Sequence, residues 1–238
     1  AFKRVYSNLN KGVNMGLLSV FGGFVSSVCS AISSAFSSLG SSLTTFATKI
    51  VELAGPLLET VGKIASMVAK FLGVTEELED PIELGLRAEA SDKKPEDFDS
   101  YKDYISYIKN EVKIDEEKLK NASEIDKAKY TAIGSGVLIK GIEDKKDMDI
   151  GADTFVALAK IGTETLDKLG GARGVDAILD TFKDGKLGEF AKYVSGDLNS
   201  VKDKIMVSDR LTETFKSLNP DMDIKDIQKE VMDMGNKK

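Results

Sequence analysis

Residues 12–48 contain no charged side chain, yet large apolar residues recur through them at regular spacing and continue well beyond. From Leu18 the series runs Phe21, Val25, Val28, Ile32, Ala35, Leu39, Leu43, Phe46, Ile50, Leu53, Leu57, Val61, Ile64, Val68 and Leu72, sixteen positions with a mean step of 3.6 residues. That is the α-helical period, so one face of residues 17–72 is apolar. The opposite face carries Ser26-Ser27, Ser33-Ser34, Ser37-Ser38, Ser41-Ser42 and Thr44-Thr45. The first third therefore reads as a long amphipathic helix whose polar side is hydroxyl rather than charge. Drawn straight, it would reach on the order of 80 Å at 1.5 Å per residue. Gly22-Gly23 weakens it early. Gly55 and Pro56 are the expected break or hinge, because proline lacks the N–H and crowds the turn before it. At that point the segment either bends or folds back as a helical hairpin.

A bilayer-spanning helix needs about 20 predominantly apolar residues. Ser19, Ser26, Ser27, Ser30, Ser33 and Ser34 interrupt the best window. Such a helix crosses lipid only beside other helices or around a water-filled lumen. Lys3 and Arg4 ahead of an apolar run give a superficial likeness to a signal peptide. Ser7, Asn8, Asn10, Lys11 and Asn14 break that pattern.

The rest of the chain changes character. Residues 1–75 hold six cations (Lys3, Arg4, Lys11, Lys49, Lys63, Lys70) against Glu52 and Glu59, a net of +4; the whole chain is −6, which leaves −10 for residues 76–238. Acidic residues with Pro81, Pro95 and Gly85 mark 76–100 as a linker, with Ile82, Leu84 and Leu86 laid in extended form on a neighbouring surface. Residues 101–238 read as an acidic domain of shorter helices. Capping boxes are expected at Ser100 with Asp103 and at Ser123 with Asp126. Asp149 is expected to cap a helix over 154–169 that Gly170-Gly171 ends. Further helices are expected at 175–182, 190–194, 201–218 and 224–234. No alternating strand pattern of useful length occurs. The predicted fold class is all-α: a long interrupted amphipathic helix or helical hairpin in 1–75, a linker in 76–100, and a C-terminal bundle in 101–238.

Chemistry is harder to find. There is no histidine, which removes the commonest general base, the Ser-His and Cys-His dyads and most transition-metal sites. The single Cys29 forms no intramolecular disulfide and reads as a small filler beside Val28. The segment from Asp180 has the glycine of a calcium loop at its sixth position, Gly185. Its third position is Phe182 and its twelfth is Ala191, so two oxygen ligands are missing. Asp144, Asp147 and Asp149 are interleaved with lysines and read as a solvated turn. Leu169 to Gly174 is glycine-rich but lacks the order of a phosphate loop. Tyr101, Tyr104 and Tyr107 have acidic flanks and read as packing residues. No catalytic, metal or cofactor residue is assigned, and the expectation is a protein that is not an enzyme.

The run Phe36-Ser-Ser-Leu-Gly-Ser-Ser-Leu-Thr-Thr-Phe, followed by Leu53-Ala-Gly-Pro-Leu-Leu-Glu-Thr-Val-Gly-Lys-Ile-Ala-Ser-Met-Val-Ala-Lys-Phe-Leu-Gly73, resembles the hydrophobic helical portions of phage tail tape-measure proteins. The likeness covers residues 17–74 and is of a general kind rather than a diagnostic motif. It consists of Gly, Ser and Ala between helically spaced Leu, Ile, Val and Phe, with Gly-Pro breaks. It implies α-helical copies held within a tail tube or tip and released towards a host membrane.

These readings converge on a non-enzymatic, oligomeric structural protein of a phage tail or related injection machine. Its partners would be copies of itself, tail-tube or tip proteins and a membrane, and its location the virion or injection particle. The acidic balance disfavours nucleic acid as a main partner, because such binding rests on neutralising phosphates. Two alternatives stay open: a secreted, membrane-inserting, pore-forming effector, and a soluble helical interaction module whose own C-terminal helices cover the stripe. The expected interaction face is Phe21, Val25, Val28, Ile32, Phe36, Leu39, Leu43 and Phe46. Ser26, Ser33, Ser37 and Ser41 are expected to line a lumen or a close helix neighbour.

Overall fold

A computed structural model describes the backbone from Met15 to Asn236 and the side chains from Phe21 to Asn236. Expectations that fall on residues 1–14 lie outside the described residues. The described chain is all-helical, with no strand among those residues.

The element at the centre is α7, Glu124–Lys146. Between Lys129 and Lys140 it carries ten uncharged residues, and those from Tyr130 to Ile139 are buried on every side. A helix without a polar face is stable only when other elements surround it. Helices α1 (Met15–Ser34), α2 (Phe36–Ala54) and α3 (Leu58–Phe71) cover part of it, and α4 (Pro81–Ala90) crosses it most intimately. A Cβ on Gly85 of α4 would lie 2.0 Å from the Tyr130 carbonyl oxygen, and one on Gly134 of α7 would lie 2.0 Å from that of Pro81. The two backbones therefore touch, and only glycine allows it.

Further out come α5 (Tyr101–Asn110), α6 (Glu116–Lys120), α8 (Ala152–Ile161), α9 (Thr163–Lys168) and α10 (Gly171–Thr181). The chain ends in α11 (Leu187–Ser195), α12 (Val201–Leu218) and α13 (Ile224–Met234). α8 packs on α2, α3 and α11, while α10 bridges α3 to α12, which pairs with α13. One apolar cluster runs through the molecule from Val28 to Met234.

The stretch 15–71 is thus divided. Gly22-Gly23 leaves α1 unbroken, whereas Ala35 separates α1 from α2 and Gly40 interrupts α2 with φ +72° and ψ 173°. Gly55 turns the chain with φ +51°, and Gly55–Leu57 forms a short 3-10 turn.

Three local expectations need correction. The segment from Pro81 is helical rather than extended: Asp80 accepts the Ile82 N–H, and Pro81 sits in the first turn, where its missing donor is harmless. The segment 76–100 therefore contributes α4, and with it the crossing on α7. The helix expected over 154–169 is split at Gly162 (φ +87°) into α8 and α9. Asp149 does not cap it; Glu143 Oε1 accepts the N–H groups of Ile150 and Gly151, both at 3.1 Å. Ser100 and Ser123 cap their helices as expected, each accepting the N–H three residues on and donating its hydroxyl to the aspartate at that position.

Candidate interaction surface

The apolar stripe of α1 and α2 faces α7 and α8. Val28, Ile32, Leu39 and Leu43 are fully buried and Phe46 is 9% exposed. Each such side chain contributes about 1.5–3 kcal/mol by leaving water. Phe21 and Val25 are half-buried. Phe36 differs: at the Ala35 break it turns outward and is 51% exposed. Most of the residues expected to form an interaction face are therefore occupied by the chain's own core.

What remains outside is the hydroxyl side. Gly22, Gly23, Ser26, Ser27, Ser30, Ser33, Ser34, Ser37, Ser41 and Ser42 are all exposed and none is charged, although the Glu96 carboxylate, from the connection after α4, lies against Gly40 at one end of the row. Several hydroxyl donors already have acceptors. Ser27 donates to the Gly23 carbonyl at 2.9 Å, Ser33 to that of Cys29 at 2.9 Å and Ser34 to that of Ala31 at 2.7 Å. A hydroxyl bonded to its own helix makes few demands on water, so covering it costs less than covering a free donor. Cys29 lies at the margin of this face, half-buried. Burial, with the Glu52 charge as a second cause, pushes its thiol up, so it is protonated and unreactive at neutral pH.

Charge is concentrated elsewhere. At the α4–α7 crossing Lys129, 6% exposed, meets Glu89 at 2.7 Å and Asp126 at 3.5 Å. Burial opposes its ammonium form, but the bonds and charges of Glu89 outweigh that and hold the proton more tightly than usual. Burial would likewise raise Glu89; Lys129 and then Lys118 outweigh it and leave the carboxyl below its ordinary value. Arg87 joins α4 to α5: Nε and Nη2 donate to Glu83, and Nη1 donates to the carbonyls of Lys109 and Val112, which the end of α5 leaves open. Lys146 is held between Asp176 and Asp180, so the aspartate that opened the calcium-like segment serves an ion pair.

Among the described residues no group of three or more His, Cys, Asp or Glu is placed to hold a metal ion, and no helix is long and apolar enough to cross a membrane. Comparison of the chain with protein-family models, curated proteins and solved structures found no match. Sequence reasoning missed the outward turn of Phe36, whose signal would have been the second break at Gly40. It also passed over the α3–α4 connection, where Leu78 stands alone among carboxylates.

Proposed function

We propose that this chain is a non-enzymatic helical building block of a larger particle, a phage tail or related injection machine, and that it assembles with copies of itself through the outer face of α1 and α2. The observation that supports this is the contrast on those helices: the apolar side is engaged internally, while the exposed side from Gly22 to Ser37 is long, hydroxylated and carries no charge of its own, Glu96 approaching only at Gly40. An acidic chain repels its copies wherever carboxylates face each other. A neutral face is the place where two copies meet with least repulsion. Phe36, half-exposed within that region, supplies an apolar contact.

The test is the native mass of the purified full chain by light scattering, with electron microscopy of the same material. Concentration-dependent association is expected, reduced in the Ser33→Lys, Ser37→Lys double variant, whose added charges lie on the exposed face. A wild-type chain that stays monomeric at millimolar concentration would overturn the proposal. The membrane-inserting alternative asks Val28, Ile32, Leu39 and Leu43 to leave the core. Dye release from anionic liposomes by the wild-type chain would favour it instead.

A further inference from the structure

Helices in the body of the fold are pinned to one another by directional bonds. The Tyr101 N–H of α5 donates to Asp144 of α7 at 2.7 Å, and Lys160 of α8 donates to the Ser195 hydroxyl of α11 at 2.9 Å. Thr181 of α10 shares a hydrogen bond of 2.8 Å with Thr214 of α12, and the Tyr193 hydroxyl of α11 donates to the Val231 carbonyl of α13 at 2.9 Å. Residues 25–39 are held differently. Among the described residues their side chains make no hydrogen bond or ion pair to another helix, and Ser27, Ser33 and Ser34 turn back onto α1 itself. Their backbone bonds outside regular helix, from Ala35, Ser38 and Leu39, also stay within the stretch. What seats it on α7 is apolar burial alone, through Val28, Ile32, Ala35 and Leu39.

The same stretch ends at a joint. Gly40 leaves helical geometry at φ +72° and ψ 173°, a backbone that a side chain adopts only under strain. The Glu96 carboxylate occupies the space of the missing side chain: a Cβ on Gly40 would lie 2.3 Å from Oε2. Beyond the joint α2 is anchored again. Thr44 donates to the Gly40 carbonyl at 2.6 Å, Leu43 and Ile50 are fully buried, and Lys49 meets Asp153 of α8 at 3.9 Å.

We propose that residues 15–39 form a strap that lifts from α7 as one unit about Gly40, while α2 from Ser41 onward and the rest of the fold stay in place. Lifting breaks no hydrogen bond or ion pair from residues 25–39 to α7. It bares Val28, Ile32 and Leu39 together with the side of α7 beneath them, and leaves Leu43 and Phe46 seated. The closed strap is a cover that lets the chain present an apolar surface without unfolding. Once the strap is free of Glu96, the helix can run on through Gly40, which relieves the strain of the joint. The device does not depend on self-assembly.

Amide hydrogen exchange of the full chain, resolved by residue with NMR, tests the strap. Residues 25–39 are expected to share one opening, about 100-fold more frequent than that of residues 130–139, with a step in protection past Gly40. Gly40→Ala penalises the closed joint and not the open one, so protection of residues 25–39 should fall about tenfold. Glu89→Ala weakens the α4–α7 crossing, which stays closed when the strap lifts. It should lower protection of residues 130–139 and leave that of residues 25–39 unchanged. Circular dichroism verifies that the variants fold, and the wild-type and Glu89→Ala measurements decide the matter if Gly40→Ala does not. The proposal is overturned if residues 25–39 exchange only together with residues 130–139, or if their protection is graded from residue 25 with no step at Gly40. Equal acceleration of both stretches by Glu89→Ala, or unchanged exchange of residues 25–39 in a folded Gly40→Ala chain, overturns it as well.

Discussion

Two stretches of this chain are free of charge, and they end in opposite environments. Residues 130–139 of α7 are buried on all sides, whereas residues 21–48 of α1 and α2 are buried on one side and wet on the other. The difference lies in where small and polar residues fall around the helix. In α7, glycines at 134, 136 and 141 admit neighbours at close range and isoleucine, leucine and valine fill the remaining directions. In α1 and α2, glycine and serine collect on the side away from the apolar stripe. Lack of charge therefore marks core in one case and exposed surface in the other, and helical spacing tells them apart.

The sharpest way to break this comparison is at the α4–α7 crossing. Gly85→Leu or Gly134→Leu drives a side chain into a backbone carbonyl, and a loss of about 4 kcal/mol or failure to fold is expected in thermal or denaturant unfolding. A stable variant of either kind would mean that the backbones do not touch. Next comes the stripe: Leu39→Ala and Leu43→Ala are each expected to lower stability by roughly 2–5 kcal/mol. Near-neutral values would place those leucines outside the core.

The charged rim of the crossing gives a third test. Glu89→Ala deprives nearly buried Lys129 of its main partner, at an expected loss of roughly 3 kcal/mol. The pH dependence follows from the two shifts. Glu89 is held below its ordinary value, so its contribution is present above the unfolded carboxyl pKa of about 4.3 and disappears as pH falls through the folded value. Lys129 is held above its ordinary value, so its contribution is present below about 10.4 and disappears as pH rises through the folded value. The stability difference between wild type and Glu89→Ala should be constant from about pH 6 to 9 and shrink at both extremes. Smallest is the outer face. Ser33→Lys with Ser37→Lys should change folding stability by no more than about 0.5 kcal/mol per site, as exposed substitutions do. A larger loss would show that this face is buried after all.

Much of the helical layout was legible in the sequence. The bounds of α12 and α13 agree with the spans read from apolar spacing and the Pro220 separator, and Ser100 and Ser123 mark their helix starts by local chemistry alone. α4 was not legible, because Ile82, Leu84 and Leu86 alternate as a strand would. They become helical through the Asp80 cap and the fit of Gly85 against Tyr130, whose partner lies far along the chain. The central role of α7 was hidden for a related reason, since a helix apolar all round displays no stripe to find. For the interaction surface, the serine ladder was legible from spacing, whereas the fate of the opposite face depended on which distant helices come to cover it. Glu143 gave no signal in the sequence, because its use of the Ile150 and Gly151 amides exists only once the turn after α7 has closed.

The inward-turned hydroxyls of Ser27, Ser33 and Ser34 have a mechanical consequence. Two helices that meet through sites whose donors already point at their own carbonyls have few directional bonds to fix one against the other. Such a contact has few directional bonds to hold it against sliding, and its register falls to the exposed side chain of Phe36.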